Sequence, residues 1–304
     1  MKRALVFPGQ ASQFVGMGQN TYAKYASVQD MYATAKDILG YDIAEITFNG
    51  PLEALTETKV TQPALFIVSA AFFSLLPKTF KFDLVAGHSL GEYSALYAAG
   101  VLSFEDALNI VKVRAEGMQA AGETQSGAMA AILNMSREDI QKVCTQGSQR
   151  GIVQAANFNS PGQIVISGEH DAVHYAMDIA KNLGARRAVA LNVSGAFHSP
   201  LMAPAKPILQ KAIDAATFNT ANVPIIVNVD AEPTSDSTKI KTSLIDQLEN
   251  PVLWEDSVRR MLKDGTDEFV EIGPGRVLQG LIKRIERNTN ISGVGSIEQL
   301  EALI

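Results

Sequence analysis

Cysteine is nearly absent from this sequence. The chain has 304 residues and only one cysteine, Cys144. A single cysteine excludes a disulfide within the chain and any metal site built from several thiolates. Disulfide-stabilised proteins of oxidising compartments use cysteine far more heavily. The sequence therefore favours a reducing compartment and a fold that is stabilised by its core.

An excess of positive charge is also missing. Lysine and arginine total 26, against 32 aspartate and glutamate residues, and the formal net charge is −6. General nucleic-acid binders carry a basic overall charge or a dense basic run, because they must neutralise phosphates. We therefore expect no nucleic-acid partner.

Long hydrophobic runs are lacking too. The longest, residues 64–76, lies between two prolines and is shorter than the roughly 20 residues of a membrane-spanning helix. The apolar stretch at residues 4–7 stops at Pro8 and Gly9, and is shorter than the roughly 7–15 apolar residues of a signal peptide. We expect no membrane association and a cytoplasmic location.

The residues that are present can bury a large core, since 46% are hydrophobic and 19% are charged. Apolar runs at 4–7 and 82–86 predict strands, and helical patterns follow at 27–39 and 90–99. A buried helix is predicted to open at Thr61, with Pro63 in its first turn. This alternation indicates an α/β fold with a mostly parallel sheet that is covered on both faces.

The pattern changes between residues 127 and 194. Strands are predicted at 128–133, 152–156, 163–167 and 187–193, with helices from residue 136 and over 171–183. The order β-α-β-β-α-β is the ferredoxin-like arrangement. We therefore predict a small inserted subdomain at 127–194 and a larger core formed by 1–126 and 195–304. Later core elements are a helix over 200–215 and a strand at 224–229.

A candidate nucleophile lies in the sequence Gly87-His88-Ser89-Leu90-Gly91, a G-x-S-x-G pattern. The pattern alone is common, but here a predicted strand precedes it and a predicted helix follows it. Such a turn presents the serine hydroxyl at the edge of the sheet, beside backbone N–H groups that can stabilise an oxyanion. The alternative is an ordinary strand–turn–helix in which Ser89 only caps the helix.

Four histidines are available as a base. His88 adjoins the serine, and adjacent residues on a sharp turn usually point apart. His170 and His174 are four residues apart on a predicted helix, but without a third ligand or an HExxH motif we interpret them as solvated and expect no metal site. His198 follows a strand and precedes a helix, where α/β folds place functional groups, so it is the predicted base. No acid partner is evident, and both a triad and a dyad oriented by a backbone carbonyl remain open.

A set of segments in a fixed order resembles the malonyl-CoA:acyl carrier protein transacylase family. The matching segments are FPGQASQ at 7–13, TQPA at 61–64, GHSLGE at 87–92, Arg114, NSPGQ at 159–163, AFHS at 196–199, Gln247 to Trp254, and EIGPG at 271–275. The resemblance covers nearly the whole chain and implies a hydrolase-like α/β core with a ferredoxin-like insert. It also implies the transfer of a malonyl group from malonyl-CoA to acyl carrier protein, through a malonyl-serine intermediate and without a cofactor.

The resemblance assigns roles to individual residues. Ser89 matches the serine that accepts the acyl group, and His198 matches its base. The backbone N–H groups of Gln10 and Leu90 match the oxyanion hole. Gln247 matches the residue whose main-chain carbonyl orients the histidine.

Two further positions concern the acyl group. Arg114 matches the arginine that binds the malonyl carboxylate; its alternative is a solvated helix residue, a role that Lys112 suits better. Phe197, before His198, and Leu90, after the serine, resemble malonyl-selective members and are expected to narrow the pocket against an α-methyl branch. Ala11 departs from the family pattern, because many members have glycine there.

Three other functions stay open at this point. One is a free-standing malonyl acyltransferase of a polyketide synthase, which has the same chemistry. Another is a serine esterase or thioesterase, which shares the serine turn but needs no Arg114. The third is a non-catalytic scaffold, against which the intact set of Ser89, His198 and Arg114 argues.

Docking of an acidic carrier protein onto an acidic enzyme requires a local basic patch. Two clusters are candidates: Lys283, Arg284 and Arg287 near the C-terminus, and Arg259, Arg260 and Lys263. An ordinary solvated face is the alternative for either cluster.

Overall fold

The computed structural model describes residues 1–303, and within them the strands form one sheet of six and one sheet of four. In chain order the strands are β1 (Arg3–Phe7), β2 (Leu84–Gly87), β3 (Gly127–Leu133), β4 (Val153–Ser160), β5 (Gln163–Glu169), β6 (Arg187–Ala190), β7 (Ile225–Ile226), β8 (Pro233–Thr234), β9 (Glu268–Ile272) and β10 (Asn290–Val294).

Helices lie between most of these strands. In chain order they are α1 (Gln19–Lys24), α2 (Ala26–Leu39), α3 (Ile43–Asn49), α4 (Leu52–Thr56), α5 (Thr58–Ser74), α6 (Gly91–Ala98), α7 (Phe104–Thr124), α8 (Arg137–Gly147), α9 (His170–Asn182), α10 (Lys206–Ala215), α11 (Ser237–Asp246), α12 (Trp254–Lys263), α13 (Val277–Ile285) and α14 (Ile297–Glu301). Short 3-10 helices cover Ser148–Arg150 and Pro200–Ala205. None of the helices within residues 1–303 combines the length and the apolar character that crossing a membrane requires.

The six-stranded sheet has the order β10-β9-β1-β2-β7-β8, and only the β7–β8 pair is antiparallel. Alternate residues of β1 point to opposite faces and enter different cores. Leu5 and Phe7 pack with α5, α6 and α7, whereas Ala4 and Val6 pack with α12 and α13. The predicted α/β fold with a mostly parallel sheet covered on both faces is therefore confirmed.

The four-stranded sheet is antiparallel throughout, in the order β4-β5-β3-β6. Along the chain its elements follow one another as β3, α8, β4, β5, α9 and β6. Both helices pack on one face, where Ile140, Val143 and Val173 form a separate small core with the strands. The last strand is shorter than predicted and ends at Ala190, because the following residues, Leu191 and Val193, turn to line a cavity.

Helix α5 begins three residues before the predicted start at Thr61, and Pro63 lies in its interior. A proline there removes the hydrogen bond to the carbonyl four residues earlier. The Tyr41 hydroxyl donates to that carbonyl, on Lys59, at 3.4 Å. The Thr61 hydroxyl, predicted to cap the helix, instead donates to the Leu55 carbonyl at 2.5 Å. The predicted start is therefore wrong, since tertiary contacts compensate for the proline.

Two later core elements also differ from their predictions. The predicted helix over 200–215 opens as a 3-10 helix and becomes α-helical only at Lys206, because Pro204 lacks the N–H that an α-helical turn would use. The strand predicted at 224–229 reduces to Ile225 and Ile226.

Candidate active site

The turn between β2 and α6 carries the predicted nucleophile in a left-handed backbone conformation, with φ of +52° at Ser89. Glycine is required on both sides of it. A Cβ on Gly87 would lie 1.9 Å from the Gly91 carbonyl carbon, and one on Gly91 would lie 2.1 Å from the Phe7 oxygen. The two glycines thus allow a turn so tight that the Ser89 side chain projects beyond the carboxyl end of the sheet.

The structure brings Ser89 and His198 together. Ser89 Oγ lies 2.8 Å from His198 Nε2, and His198 Nδ1 lies 2.8 Å from the main-chain oxygen of Gln247. A carbonyl oxygen can only accept, so Nδ1 carries the proton and Nε2 is left to accept from the serine hydroxyl. Within residues 1–303, His198 makes no hydrogen bond to a carboxylate, so the geometry is that of a dyad oriented by a backbone carbonyl.

Burial keeps His198 neutral. The side chain is 3% exposed, and desolvation together with the charge of Arg114 lowers the pKa of His198 to about 3. A neutral imidazole at ordinary pH is the form that can take a proton from a serine.

Arg114 lies inside α7 with no exposed surface, so its interpretation as a solvated helix residue is wrong. Its Nη2 donates to Ser89 Oγ at 3.1 Å and to Gln247 Oε1 at 2.8 Å, and its Nη1 donates to Gln62 Oε1 at 2.6 Å. Within residues 1–303 it forms no salt bridge, and its Nε has no hydrogen-bond partner. Burial accordingly lowers the pKa of Arg114. A buried cation with no ion pair and a free donor suits an anionic ligand.

A cavity of about 260 Å³ opens beside Ser89, between the carboxyl ends of the large sheet and one face of the small sheet. Its walls are mostly apolar and include Phe197, Met118 and Met129. Gln10 and Leu90 also line it, and in the described chain neither backbone N–H donates to a protein acceptor. The geometry thus offers two backbone donors beside the serine.

Several buried polar residues around Ser89 were missed by the sequence interpretation as parts of the site. They are Gln62, Glu92, Asn228 and the Gln247 side chain. A usable signal was present: Glu92 is the only charged residue of α6, and Asn228 stands between Val227 and Val229. A polar residue in such a place needs a buried partner, which is characteristic of a site or of a core network.

The other histidines lie away from this cluster or support it. His88 is half-buried and lines the cavity, and its Nε2 lies 2.8 Å from Asn159 Oδ1 on β4. His170 and His174 contact each other on α9, with ring centroids 4.2 Å apart and the rings tilted by 40°. The part of the chain that the structure describes contains no group of three or more His, Cys, Asp or Glu side chains suited to a metal ion.

The two basic clusters differ in their surroundings. Helix α13 carries Lys283 and Arg284, and its first residues, Val277 and Leu278, line the cavity. Arg284 donates to Gln163, which also lines the cavity. By contrast, both arginines of the α12 cluster are engaged with acids: Arg259 pairs with Glu255, and Arg260 pairs with Asp264 and Glu232.

Comparison with known proteins gives one consistent family. The acyl transferase domain family matches residues 4–300. The malonyl CoA-acyl carrier protein transacylase of Bacillus subtilis is 43% identical, over 100% of this chain and 96% of that protein.

Solved structures agree with this. The acyl carrier protein S-malonyltransferase of Vibrio cholerae has a TM-score of 0.95 at 42% identity, with both chains fully covered. A type II polyketide synthase malonyl-transacylase, solved in complex with its acyl-carrier protein, also has a TM-score of 0.95, at 40% identity over 100% of this chain and 99% of that one. The chain therefore belongs to the acyl transferase domain family and, within it, to the malonyl CoA-acyl carrier protein transacylases.

Proposed function

We propose that this protein transfers a malonyl group from malonyl-CoA to the phosphopantetheine thiol of acyl carrier protein, through a malonyl ester on Ser89. The observation that carries this proposal is the buried, unpaired guanidinium of Arg114 within 3.1 Å of the Ser89 hydroxyl. Relatives that match the whole chain at about 40% identity are named for the same two partners, which supports the proposal.

The position of Arg114 selects the acyl group. A malonyl group bound to Ser89 Oγ carries its carboxylate only a few bonds from that oxygen, within reach of a guanidinium that already contacts it. A guanidinium can donate two parallel hydrogen bonds to a carboxylate. An acetyl group offers no such acceptor and leaves the buried charge unpaired, so it is the poorer substrate.

His198 and the backbone donors supply the chemistry. His198 Nε2 takes the proton as Ser89 Oγ attacks the thioester carbonyl, and the N–H groups of Gln10 and Leu90 bind the oxyanion. In other enzymes, loss of one such donor costs about 3–4 kcal/mol of transition-state stabilisation. His198 then protonates the departing thiolate, and the carrier thiol repeats the sequence in reverse. Phe197 narrows the cavity wall against an α-methyl branch.

The proposal also covers the subdomain boundaries, the docking surface for the carrier, the compartment and the pathway. The small sheet's order β4-β5-β3-β6 supports a ferredoxin-like subdomain at 127–194, set into a hydrolase-like core of 1–126 and 195–304. The carrier docks beside α13, where Arg284 contacts the cavity-lining Gln163. The reaction requires no resident cofactor and takes place in the cytoplasm.

Fatty-acid synthesis is the pathway we propose. The alternative is supply of a polyketide synthase, the system to which one of the similar transacylases belongs.

Mass spectrometry of the intact protein tests the proposal. After mixing with malonyl-CoA alone, we expect a stable adduct of malonyl mass on Ser89, and addition of carrier protein with its phosphopantetheine should remove it. Rapid release of free malonate without a carrier would instead indicate a hydrolase.

Variants in the same assay separate the roles. Ser89→Ala should abolish the adduct, whereas Arg114→Ala should lower malonyl loading far more than acetyl loading. Persistent loading of Ser89→Ala would refute the nucleophile, and an equal loss for the two acyl groups would refute the role of Arg114.

A further inference from the structure

Glu92 is a fully buried carboxylate one helical turn beyond Ser89. Within residues 1–303 it forms no salt bridge, and burial raises the pKa of Glu92 to about 7. One of its oxygens, Oε1, has no hydrogen-bond partner. The other, Oε2, accepts from two groups: the backbone N–H of Asn228 at 3.0 Å and Nε2 of Gln247 at 2.9 Å.

Asn228, the first of the two residues that donate to Glu92 Oε2, holds the serine turn through its side chain. Asn228 Nδ2 donates to the Gly87 carbonyl at 2.6 Å, and its Oδ1 accepts the Ser89 N–H at 2.7 Å. These two bonds extend the hydrogen-bonding of the sheet past the end of β7, so that a side chain takes the place of strand backbone. They fix the backbone on both sides of His88 while Ser89 keeps its left-handed conformation.

Gln247, the second residue that donates to Glu92 Oε2, contacts both His198 and Arg114. Its Nε2 also donates to the Ser89 carbonyl at 3.1 Å, and its Oε1 accepts from Arg114. Its main-chain oxygen accepts from His198 Nδ1. A carboxylate only accepts and a guanidinium only donates, so Gln247 fits between Glu92 and Arg114 in one orientation.

We propose that Glu92 is a positioning residue: a single oxygen, Oε2, holds Asn228 and Gln247 in register and thereby aligns Ser89, His198 and Arg114 with one another. Glu92 is not among the residues that line the cavity. Its effect on malonyl selection rests on the proposed function, whereas its effect on Ser89 and His198 does not.

This role predicts which replacements succeed. In Glu92→Gln an amide oxygen can stand at the Oε2 position and accept both bonds, while the NH₂ group takes the place of the unpartnered Oε1. Glu92→Met fills a similar volume but accepts nothing, and Glu92→Asp withdraws the carboxylate by one methylene. A purely space-filling role would instead favour methionine.

The test measures modification of Ser89 by a small sulfonyl fluoride, which reports the reactivity of the serine and its base without any acyl substrate. We expect Glu92→Met and Glu92→Asp to react at least about tenfold more slowly than the wild type, because small misplacements of reacting groups are costly. Glu92→Gln should stay within about threefold of the wild type. Wild-type rates in Glu92→Asp or Glu92→Met, or a Glu92→Gln variant as slow as they are, would overturn the proposal.

A second readout is the ratio of malonyl to acetyl loading. It should fall in Glu92→Met and recover in Glu92→Gln, because Arg114 is aligned through Gln247. A ratio that is unchanged in Glu92→Met would overturn the Arg114 part of the proposal. If the wild type reacts with the sulfonyl fluoride but takes up no malonyl group, the proposed function fails while the alignment of Ser89 and His198 is still tested.

Glu271 offers a matched control. It is also a fully buried carboxylate, and its two oxygens accept from the backbone N–H groups of Leu278 and Gln279 at 3.0 and 3.2 Å. We expect Glu271→Met to lower the melting temperature but to leave the rate of Ser89 modification unchanged. An equal slowing in both methionine variants would reduce the effect of Glu92 to general destabilisation and overturn the proposal.

Discussion

The backbone and the ring of His198 are both held in place, and its surroundings lower the pKa of the imidazole. Its backbone is left-handed, with φ of +56°, and its ring is held at both nitrogens. The depressed pKa means that protonation requires a lower pH than for a free histidine. His198 is therefore neutral over the whole physiological range, and this neutral form comes from burial first and from Arg114 second.

A pH profile checks this directly. In a Glu92→Gln background, which removes the titration of that carboxyl, we expect the rate of Ser89 modification by a sulfonyl fluoride to stay flat from about pH 8 to about pH 5. The remaining charged or titratable groups near His198 are Arg114 and His88, and burial lowers the pKa of His88 as well.

A fall in that rate with a midpoint near the ordinary histidine pKa of about 6.5 would contradict the prediction. Arg114→Met should raise the pH at which the rate begins to fall, because it removes a positive charge that lowers the pKa of His198.

Sequence reasoning located the residues that stand in recognisable local patterns. Ser89 lies in a glycine-flanked turn after β2 of the large sheet, and His198 follows β6 of the small sheet, so each was recognisable from its local pattern although the two strands belong to different sheets. The burial of Arg114 could not be predicted from α7, because its apolar pattern does not say which neighbour will cover a charged position. Asn228 and the Gln247 side chain depend on contacts between segments more than 100 residues apart in the chain.

Among the helices, α5 and α13 show how far local rules extend. The proline rule misplaced the start of α5, since the Tyr41 hydroxyl satisfies the Lys59 carbonyl from a distant loop. No sequence pattern predicted that the first turn of α13 would line the cavity. The consequence is that one cation of α13, Arg284, contacts the cavity-lining Gln163, whereas Arg259 and Arg260 of α12 are engaged with carboxylates.

Removing charges from the C-terminal end of α13 and the residues just after it, and separately from α12, tests where the carrier docks. We expect the double variant Arg284→Ala/Arg287→Ala to raise KM for the carrier protein about fivefold at low salt, because the carrier is acidic and exposed charges steer association. Added salt should shrink the difference by screening. Loading from malonyl-CoA should not change, since neither side chain contacts Ser89.

The matched control is Arg259→Ala/Arg260→Ala on α12, whose cations already have carboxylate partners. Steady-state kinetics with varied carrier concentration distinguish the two pairs. An equal rise in KM for both pairs would argue against docking at α13.

The two sheets together make the site, and neither would suffice alone. The large sheet supplies Ser89 and the Gln10 loop, while the small sheet supplies a wall of the cavity through Met129, Asn157 and Val165. Apolar periodicity predicted β1 and β2 of the large sheet and the four strands of the small sheet, but not β8 or β10. The mutual placement of the two sheets was not predictable, because it depends on contacts such as the Phe158 N–H donating to the Val252 carbonyl at 2.9 Å.

Gln154 provides a test of this coupling between sheets. From β4 its Nε2 donates to the main-chain oxygens of His198 and Glu249, both at 2.8 Å. These two bonds join the loop of the base to the turn that follows Gln247. We expect Gln154→Leu to lower kcat for malonyl loading by roughly tenfold, since two hydrogen bonds that align the base are lost, with KM for malonyl-CoA nearly unchanged.

Rapid-quench measurement of acyl-enzyme formation gives both parameters. Gln141→Leu, an exposed position on α8 beside the same sheet, serves as the control and should behave like the wild type. A change confined to KM would show that the small sheet acts on binding alone.

The crowding at Gly87 and Gly91 has a practical consequence for redesign. A side chain at either position would clash with the backbone of β1 or α6, so neither glycine of the serine turn can be substituted. Any attempt to broaden the range of extender units should therefore spare residues 87–91 and diversify the cavity walls at Phe197, Met118 and Met129. Libraries built on that division retain the reacting groups and vary only the space that the acyl chain occupies.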